Sequence, residues 1–348
     1  MLQFPLTNRI GEVREPGRVR FLSRQIVSLR PDEVLVHVRA SALCGSDLHI
    51  ARGKHPSAPL PVTIGHEFAG DAAAVGSAVT AVRPGARVTV EPCIVCGTCE
   101  ACRQGNYGYC EHISFTYRNG DGAMADYVVV PERCVHELPD ALSYEVGALI
   151  EPLSVATHAV RRAEIRMGET VLILGDGAIG LMTAAMCRRS GAAEILVAGH
   201  SDERLAVARS LGATQTVNTH ESELEAVVAQ LTGGRGVDKS FECVGRGACF
   251  RQALNSLRHG GTITVAGIYE DQDLHFAPAR LVTHELSIRG TQGYCWDFPV
   301  AIAAAQEIPL EKLITHRYPL SRLQDALDTA LRHESGCIKV LLYPEEDA

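Results

Sequence analysis

No stretch of this sequence holds the roughly 20 consecutive apolar residues that a membrane span requires. The opening, MLQFPLTNRIGEV, lacks the charged region followed by an apolar one that marks an export signal. Those two absences lead to the expectation of a cytoplasmic protein with no membrane partner. There is no excess of positive charge either: the net charge is -8, with no basic stripe and no platform of aromatics and arginines, so nucleic acid is excluded as a partner. Blocks of like charge, low-complexity segments and internal repeats are also missing, so no disordered tail or repeat array is expected.

What is present is 348 residues, enough for two domains at roughly 150 residues each, with 46% apolar residues to fill their cores. Two domains also make a cleft between them a natural place for a small ligand. Twelve cysteines are present, and five of them fall between Cys93 and Cys110, too close together for the disulfide framework of a chain this long. In a reducing compartment such crowding reads as metal binding.

Residues 1–155 consist of short β-like runs, among them Glu33 to Arg39, Ala86 to Val90 and Tyr127 to Val130, punctuated by Gly and Pro. Residues 156–290 alternate strands with helices. Strand candidates are Thr170 to Leu174, Glu194 to Ala198, Thr214 to Val217, Val237 to Cys243 and Thr262 to Ala266; helical runs are Ile179 to Ser190, Asp202 to Leu211, Glu221 to Leu231 and Cys249 to Arg258. This alternation predicts an α/β doubly wound parallel sheet of about six strands. Residues 291–348, ending in the apolar run Cys337 to Tyr343, are expected to rejoin the first domain.

The first of those strands runs into TVLILGDGAIGL, with Gly175, Gly177 and Gly180 at the spacing of a dinucleotide fingerprint. The first glycine permits the turn, the second admits the pyrophosphate, and the third lets the helix pack on the strand; Ala178 and Ile179 open the helix whose N–H groups meet the phosphates. About 20 residues later, where an acid would hold the ribose of NAD, the sequence has Gly199, followed by His200, Ser201 and Arg204. A small residue followed by cations and a hydroxyl favours NADP over NAD, although Asp202 could reach a ribose and Ser201 also suits a helix N-cap.

Cys96, Cys99, Cys102 and Cys110 stand at intervals of three, three and eight residues, the pattern of a closed structural zinc site. Grouping Cys93 with the first three would instead resemble an iron–sulfur run, without its Cys-Pro ending. A second, dispersed set comprises Cys44, His66, Glu67 and Glu151, which together offer donors suited to a catalytic zinc. Two zinc ions per chain are expected. Cys44 and Glu67 as anions would cancel the charge of the metal, so Glu151 is expected to hold a water or to exchange rather than bind directly. Ser46 and His49, just beyond Cys44, are candidates for passing a proton to solvent.

Taken together, Cys44-Gly45-Ser46-Asp47, Gly65-His66-Glu67, the cysteine loop, Glu151-Pro152-Leu153 and the glycine fingerprint resemble the zinc-containing medium-chain alcohol dehydrogenases. The likeness to the sorbitol, butanediol and threonine dehydrogenase branch covers nearly the whole chain. It implies a GroES-like catalytic domain beside a Rossmann domain, a homotetramer or homodimer, and a small polyol or secondary alcohol as substrate. Threonine oxidation or aldehyde reduction are alternatives within the fold; an idle NADPH-binding protein would have no use for an open zinc site. The Arg-Tyr pair that contacts polyols in sorbitol-type members is Gly293-Tyr294 here, so only Tyr294 carries over. Phe115 is a further candidate for the substrate pocket, with His55, Tyr117 and Trp296 beside it.

Overall fold

The computed structural model describes residues 4–55, 58, 60–116, 122–269, 274–332 and 336–344, so Tyr117 lies outside the described residues. The chain divides into two compact units, Met1–Glu151 with Ala301–Ala348, and Pro152–Val300. Among the described residues no helix is long and apolar enough to cross a membrane.

In the first unit a seven-stranded sheet carries the strands in the order Val135–Glu137, Arg87–Val90, Glu67–Val75, Glu33–Ala42, Lys339–Tyr343, Ile314–Pro319. The central strand Glu33–Ala42 serves two neighbours on one edge: its residues 33–37 pair with Tyr127–Pro131, and Ser41 and Ala42 pair with Leu342 and Leu341. On its other edge Ala42 is in register with Glu67. Three strands distant in sequence therefore end side by side. Val34, Val36, Val38, Phe68, Val88 and Val128 are buried among one another. Each such side chain contributes about 1.5–3 kcal/mol. A second apolar cluster joins Ile50, Ile64, Met124, Leu323, Val340 and Leu342. Both clusters clamp the ends of the strands that carry the polar residues discussed below.

The second unit is built on a six-stranded parallel sheet in the order Gln215–Asn218, Glu194–Gly199, Thr170–Leu174, Val237–Glu242, Leu257–Val265, Ser287–Gly290. Helices Ala178–Arg189, Asp202–Ser210, Leu224–Thr232 and Gly247–Asn255 connect the strands. Val171 to Leu174 and Ile195 to Gly199 are all buried, because parallel strands covered on both faces have no wet side. Strand order reverses on either side of Thr170–Leu174, which creates a switch point between it and Val237–Glu242. Ligands of such sheets bind at that point, outside the strand ends.

The helix expected from Glu221 begins at Leu224 because the amides of Glu221 and Ser222 are bound to the carbonyl of Asn218, and that of His220 to its side chain. Ser287–Gly290 escapes the sequence pattern: it is a short edge strand whose residues are exposed or half-buried, with no apolar alternation. The strand Val237–Glu242 reads VDKSFE yet is buried throughout. Two of its polar residues are paired: Asp238 accepts from Thr170 N (2.8 Å) and Arg258 Nε (2.5 Å), and Ser240 donates to the Ala253 carbonyl (3.0 Å).

Candidate active site

Cys44 directly follows the strand Glu33–Ala42 and Leu43, and it caps the helix Gly45–Ala51; Glu67 opens the strand Glu67–Val75, with His66 just before it. The register of Ala42 with Glu67 thus brings residues more than 20 positions apart to one spot. Ligand atoms of Cys44, His66 and Glu67 lie within 4.8 Å of one another, with His66 and Glu67 buried. Thiolate, imidazole and carboxylate at that separation fit one zinc ion with a position left for an exchangeable ligand.

Two residues that the sequence reading gave no role hold this group in place. Asp47, at the third position of the helix, accepts from Cys44 N (2.9 Å) and Gly65 N (3.1 Å), and its Oδ1 lies 3.5 Å from His66 Nδ1. It is fully buried, which alone would raise its pKa, but His66 and the two amides more than offset this and hold it below the usual range. Burial would lower the His66 imidazole, yet Asp47 and Cys44 push it well above its ordinary value. A zinc ion at this position would take the neutral imidazole of His66 as its ligand.

The second is Lys339, at the start of the strand Lys339–Tyr343. Its Nζ donates to both oxygens of Glu67, at 2.6 and 2.5 Å, and to the carbonyl of Leu43 at 3.2 Å. Burial would lower the ammonium, but Glu67, with Cys44 and Glu151 behind it, raises it above the ordinary lysine value. Burial raises the Glu67 carboxyl, and Lys339 and His66 oppose that rise. A signal was available in the sequence: a lysine embedded in the apolar run Cys337 to Tyr343 needs a partner when buried.

Lys339 and Asp47 enter the charge balance around Glu151 with opposite signs. The buried ammonium on Glu67 is matched by the ionised, buried Asp47 beside His66, so zinc, Cys44 and Glu67 with these two neighbours still sum to neutrality. Glu151 is buried at the start of the helix Ile150–Ala163. Ser46 and His49 are half-buried on the helix Gly45–Ala51, three residues apart and so on one face. Phe115 packs against the apolar cluster of Ile50 and Met124. Tyr294 belongs to the other unit, where it is buried with its ring edge-on to Phe298 at 5.1 Å, so its link to substrate rests on the resemblance alone.

Elsewhere in the first unit, Cys96, Cys99, Cys102 and Cys110 converge within the same 4.8 Å limit, around the short helices Glu100–Arg103 and Tyr107–Tyr109. Their sulfurs are not disulfide-bonded. Amides of Thr98 and Cys99 point at Cys96 Sγ (3.5 and 3.4 Å) and hold its pKa down to about 5, so a thiolate is available at neutrality. Cys93 is not part of the group; its carbonyl lies 3.6 Å from Cys134 Sγ. Four converging thiols with no further donor match a closed zinc site and leave the iron–sulfur alternative without its fourth cysteine.

In the second unit the glycine loop has the conformation its spacing suggests. Gly175 adopts φ +119°, a Cβ on Gly180 would lie 2.0 Å from the Gly175 carbonyl, and a Cβ on Gly177 would meet nothing within 4 Å. The first glycine turns, the third lets helix meet strand, and the second leaves open space over the N-terminus of the helix Ala178–Arg189. Glu242, fully buried at the end of the adjacent strand, accepts from the amides of Val244 (2.9 Å) and Gly245 (2.8 Å) and from the Tyr269 hydroxyl (2.8 Å). Gly199, His200, Ser201 and Arg204 gather beside the loop, together with Asp176.

Comparison with known proteins is consistent across its kinds. The family model for the alcohol dehydrogenase GroES-like domain matches residues 30–140, and that for the zinc-binding dehydrogenase matches residues 178–307. Sorbitol dehydrogenase of Bacillus subtilis (strain 168) is 37% identical over 346 residues, 98% of each chain. D-arabitol-phosphate dehydrogenase of Enterococcus avium is 33% identical over 341 residues, 95% of this chain and 96% of the other. Among solved structures, a zinc-binding dehydrogenase from Sinorhizobium meliloti 1021 bound to NADP superposes with a TM-score of 0.91 at 30% identity, covering 97% of this chain and 100% of the other.

Proposed function

We propose, because the chain belongs to the zinc-containing medium-chain alcohol dehydrogenases, that it transfers a hydride between NAD or NADP and the hydroxyl-bearing carbon of a small polyol or other secondary alcohol. The observation that carries this reading is the convergence of Cys44, His66 and Glu67 on one point. A protein that only bound dinucleotide would gain nothing from keeping that group. The relatives named above carry the names of sorbitol and D-arabitol-phosphate dehydrogenases, which supports a sugar alcohol, while L-threonine 3-dehydrogenases match at 34–35% identity and keep threonine among the candidates.

When bound at Cys44, His66 and Glu67, zinc would supply a Lewis acid that lowers the pKa of a hydroxyl to about 7, worth roughly 12 kcal/mol at 1.36 kcal/mol per unit. The chain's own residues set how much of that is realised. Lys339 holds Glu67 and keeps the surroundings one charge more positive, which favours loss of the hydroxyl proton. Asp47 fixes Cys44 and His66 in position. Ser46 and His49 pass the released proton outward, since each side chain can both donate and accept a hydrogen bond. The glycine loop holds the pyrophosphate at the N-terminus of the helix Ala178–Arg189.

The reading includes a second zinc at Cys96, Cys99, Cys102 and Cys110, a homotetramer or homodimer, and a place in the cytoplasm. The catalytic domain is assigned to residues 1–155 and 291–348 and the dinucleotide domain to 156–290, where the compact units divide at Glu151 and Val300. Against the expectation of NADP drawn from Gly199 stands the carboxylate of Asp176, which lies beside that glycine. The deciding experiment follows nicotinamide absorbance across a panel of polyols, cyclitols, diols and threonine, with metal analysis of the same preparation. Two zinc ions per chain and turnover of a polyol are expected; a chain without metal at Cys44, His66 and Glu67 and without turnover would refute the proposal.

A further inference from the structure

The strand Glu194–Gly199 ends where a dinucleotide fold ordinarily presents an acidic side chain to the adenosine ribose, and this chain has glycine there. The structure gives the reason. A Cβ placed on Gly199 would lie 2.5 Å from Cβ, Cγ and Oδ2 of Asp176. Asp176 sits between the first two glycines of the loop that follows the neighbouring strand Thr170–Leu174, and it is 7% exposed. Its Oδ2 accepts from His200 N (2.9 Å) and Ser201 N (3.0 Å), and its Oδ1 lies 3.6 Å from Arg204 Nη1. A carboxylate does stand at the end of the second strand, delivered from the first.

The groups that would receive a 2′-phosphate are engaged in consequence. The amides of His200 and Ser201 and one guanidinium nitrogen of Arg204 face Asp176. Ser201 Oγ donates to Glu203 (2.6 Å), and His200 Nδ1 is 3.0 Å from Thr219 Oγ1. Asp176 lies against the Arg204 guanidinium, Asp202 accepts from Asn218 Nδ2 (3.0 Å), and the rings of His200 and His220 pack at 4.5 Å. A phosphate carries only acceptors and negative charge, so it would have to displace Asp176 from its donors and remain next to it. Ribose hydroxyls can donate to the same carboxylate.

We infer that Asp176 is the residue that selects the cofactor of this chain, holding the ribose hydroxyls of NAD and rejecting the 2′-phosphate of NADP. The inference rests on the dehydrogenase reading above and assigns the discrimination to the glycine loop instead of the end of the second strand. Arg204 keeps a buried Nε with no hydrogen-bond partner among the described residues, and this is the donor a 2′-phosphate would gain once Asp176 is neutralised.

The test is titration of the purified protein with NADH and NADPH, followed by nicotinamide fluorescence and requiring no turnover. The wild type should bind NADH about tenfold or more tightly than NADPH, and Asp176→Ala should move that ratio by about a hundredfold toward NADPH. Asp176→Asn, which keeps the shape and an acceptor for the two amides, should shift the ratio in the same direction by a smaller factor and covers the case in which the alanine variant fails to fold. Gly199→Asp should restore the preference for NADH in the Asp176→Ala background, where there is room for it. A purely structural role for Asp176 would weaken both cofactors equally; an unchanged ratio in both variants, or a wild type that binds NADPH as tightly as NADH, would overturn the inference alone. Failure of the wild type to bind either cofactor would overturn the dehydrogenase reading with it.

Discussion

Lys339 Nζ stands 2.6 Å from Oε1 and 2.5 Å from Oε2 of Glu67, so the carboxylate that faces the metal position is gripped by a cation buried with it. A unit charge about 5 Å from a titrating group, at an effective dielectric of about 20, is worth roughly 3 kcal/mol, or about two pKa units. The positive charge favours the ionised hydroxyl, so its removal must raise the pH at which activity appears. Lys339→Met is expected to retain zinc and to move the rising limb of kcat/KM against pH upward by about one to two units, while Lys339→Arg stays close to the wild type. An unmoved limb in the zinc-loaded methionine variant would show that the cation only packs.

That residue also marks the limit of what the sequence discloses. The glycine loop, the cysteine loop and the set of Cys44, His66 and Glu67 are legible because their chemistry demands particular residue types at local spacing, or because motifs announce them. Lys339 is 272 residues from Glu67 and meets it only through the pairing of the final strand with Glu33–Ala42. Asp176 is legible as part of a glycine loop, but that its carboxylate occupies the space above Gly199 is a property of two adjacent strand ends in register. Burial pairing of this kind is decided by tertiary contact, and neither periodicity nor spacing encodes it. Ser287–Gly290 is obscure for the opposite reason, since an exposed edge strand has no burial pattern to read.

Asp47 is positioned to orient two metal ligands at once, through the amide of Cys44 and the imidazole of His66. Partners of this kind typically account for 10- to 100-fold in metal affinity, so Asp47→Asn is expected to weaken zinc binding by roughly that factor. Competition against a chromophoric chelator measures it. The asparagine keeps one acceptor for the amides, so the fold should persist, and a wild-type affinity would remove Asp47 from the role.

The cysteine loop should behave as an independent metal site. Cys102→Ser is expected to reduce zinc from about two to about one per chain and to lower the melting temperature by several degrees, since the loop has little core of its own. The amides on Cys96 depress its thiol to about 5 from an ordinary value of 9.0, so the stabilisation from that thiolate is full above 9.0 and is lost progressively as pH falls toward about 5. Zinc release into a chromophoric indicator should therefore grow with acidification. Release of the metal from this loop near neutrality, with the protein still folded, would contradict the assignment.

Asp297 anchors the turn that contains Tyr294 and Trp296. Fully buried, it accepts from Cys295 N (2.9 Å) and Arg161 Nη1 (2.6 Å) and pairs with His158 Nδ1 (2.8 Å). His158 and Arg161 lie three residues apart on the helix Ile150–Ala163, whose second residue is Glu151. Burial alone would raise the carboxyl of Asp297, but His158, Cys295 and Arg161 more than compensate and bring it below 3.8. A depressed carboxylate stabilises the fold at pH values above 3.8 and loses that contribution as pH falls through its lower, folded value. Removing the acceptor leaves an amide and a histidine without their partner in the interior, so Asp297→Ala is expected to destabilise by about 3 kcal/mol and Asp297→Asn by roughly half of that. Thermal melts at neutral pH separate the two. A further melt at acid pH should narrow the gap between wild type and alanine variant, because protonation withdraws from the wild type the charge that the variant lacks; a gap that stays constant on acidification would mean that shape, and not charge, fixes the turn.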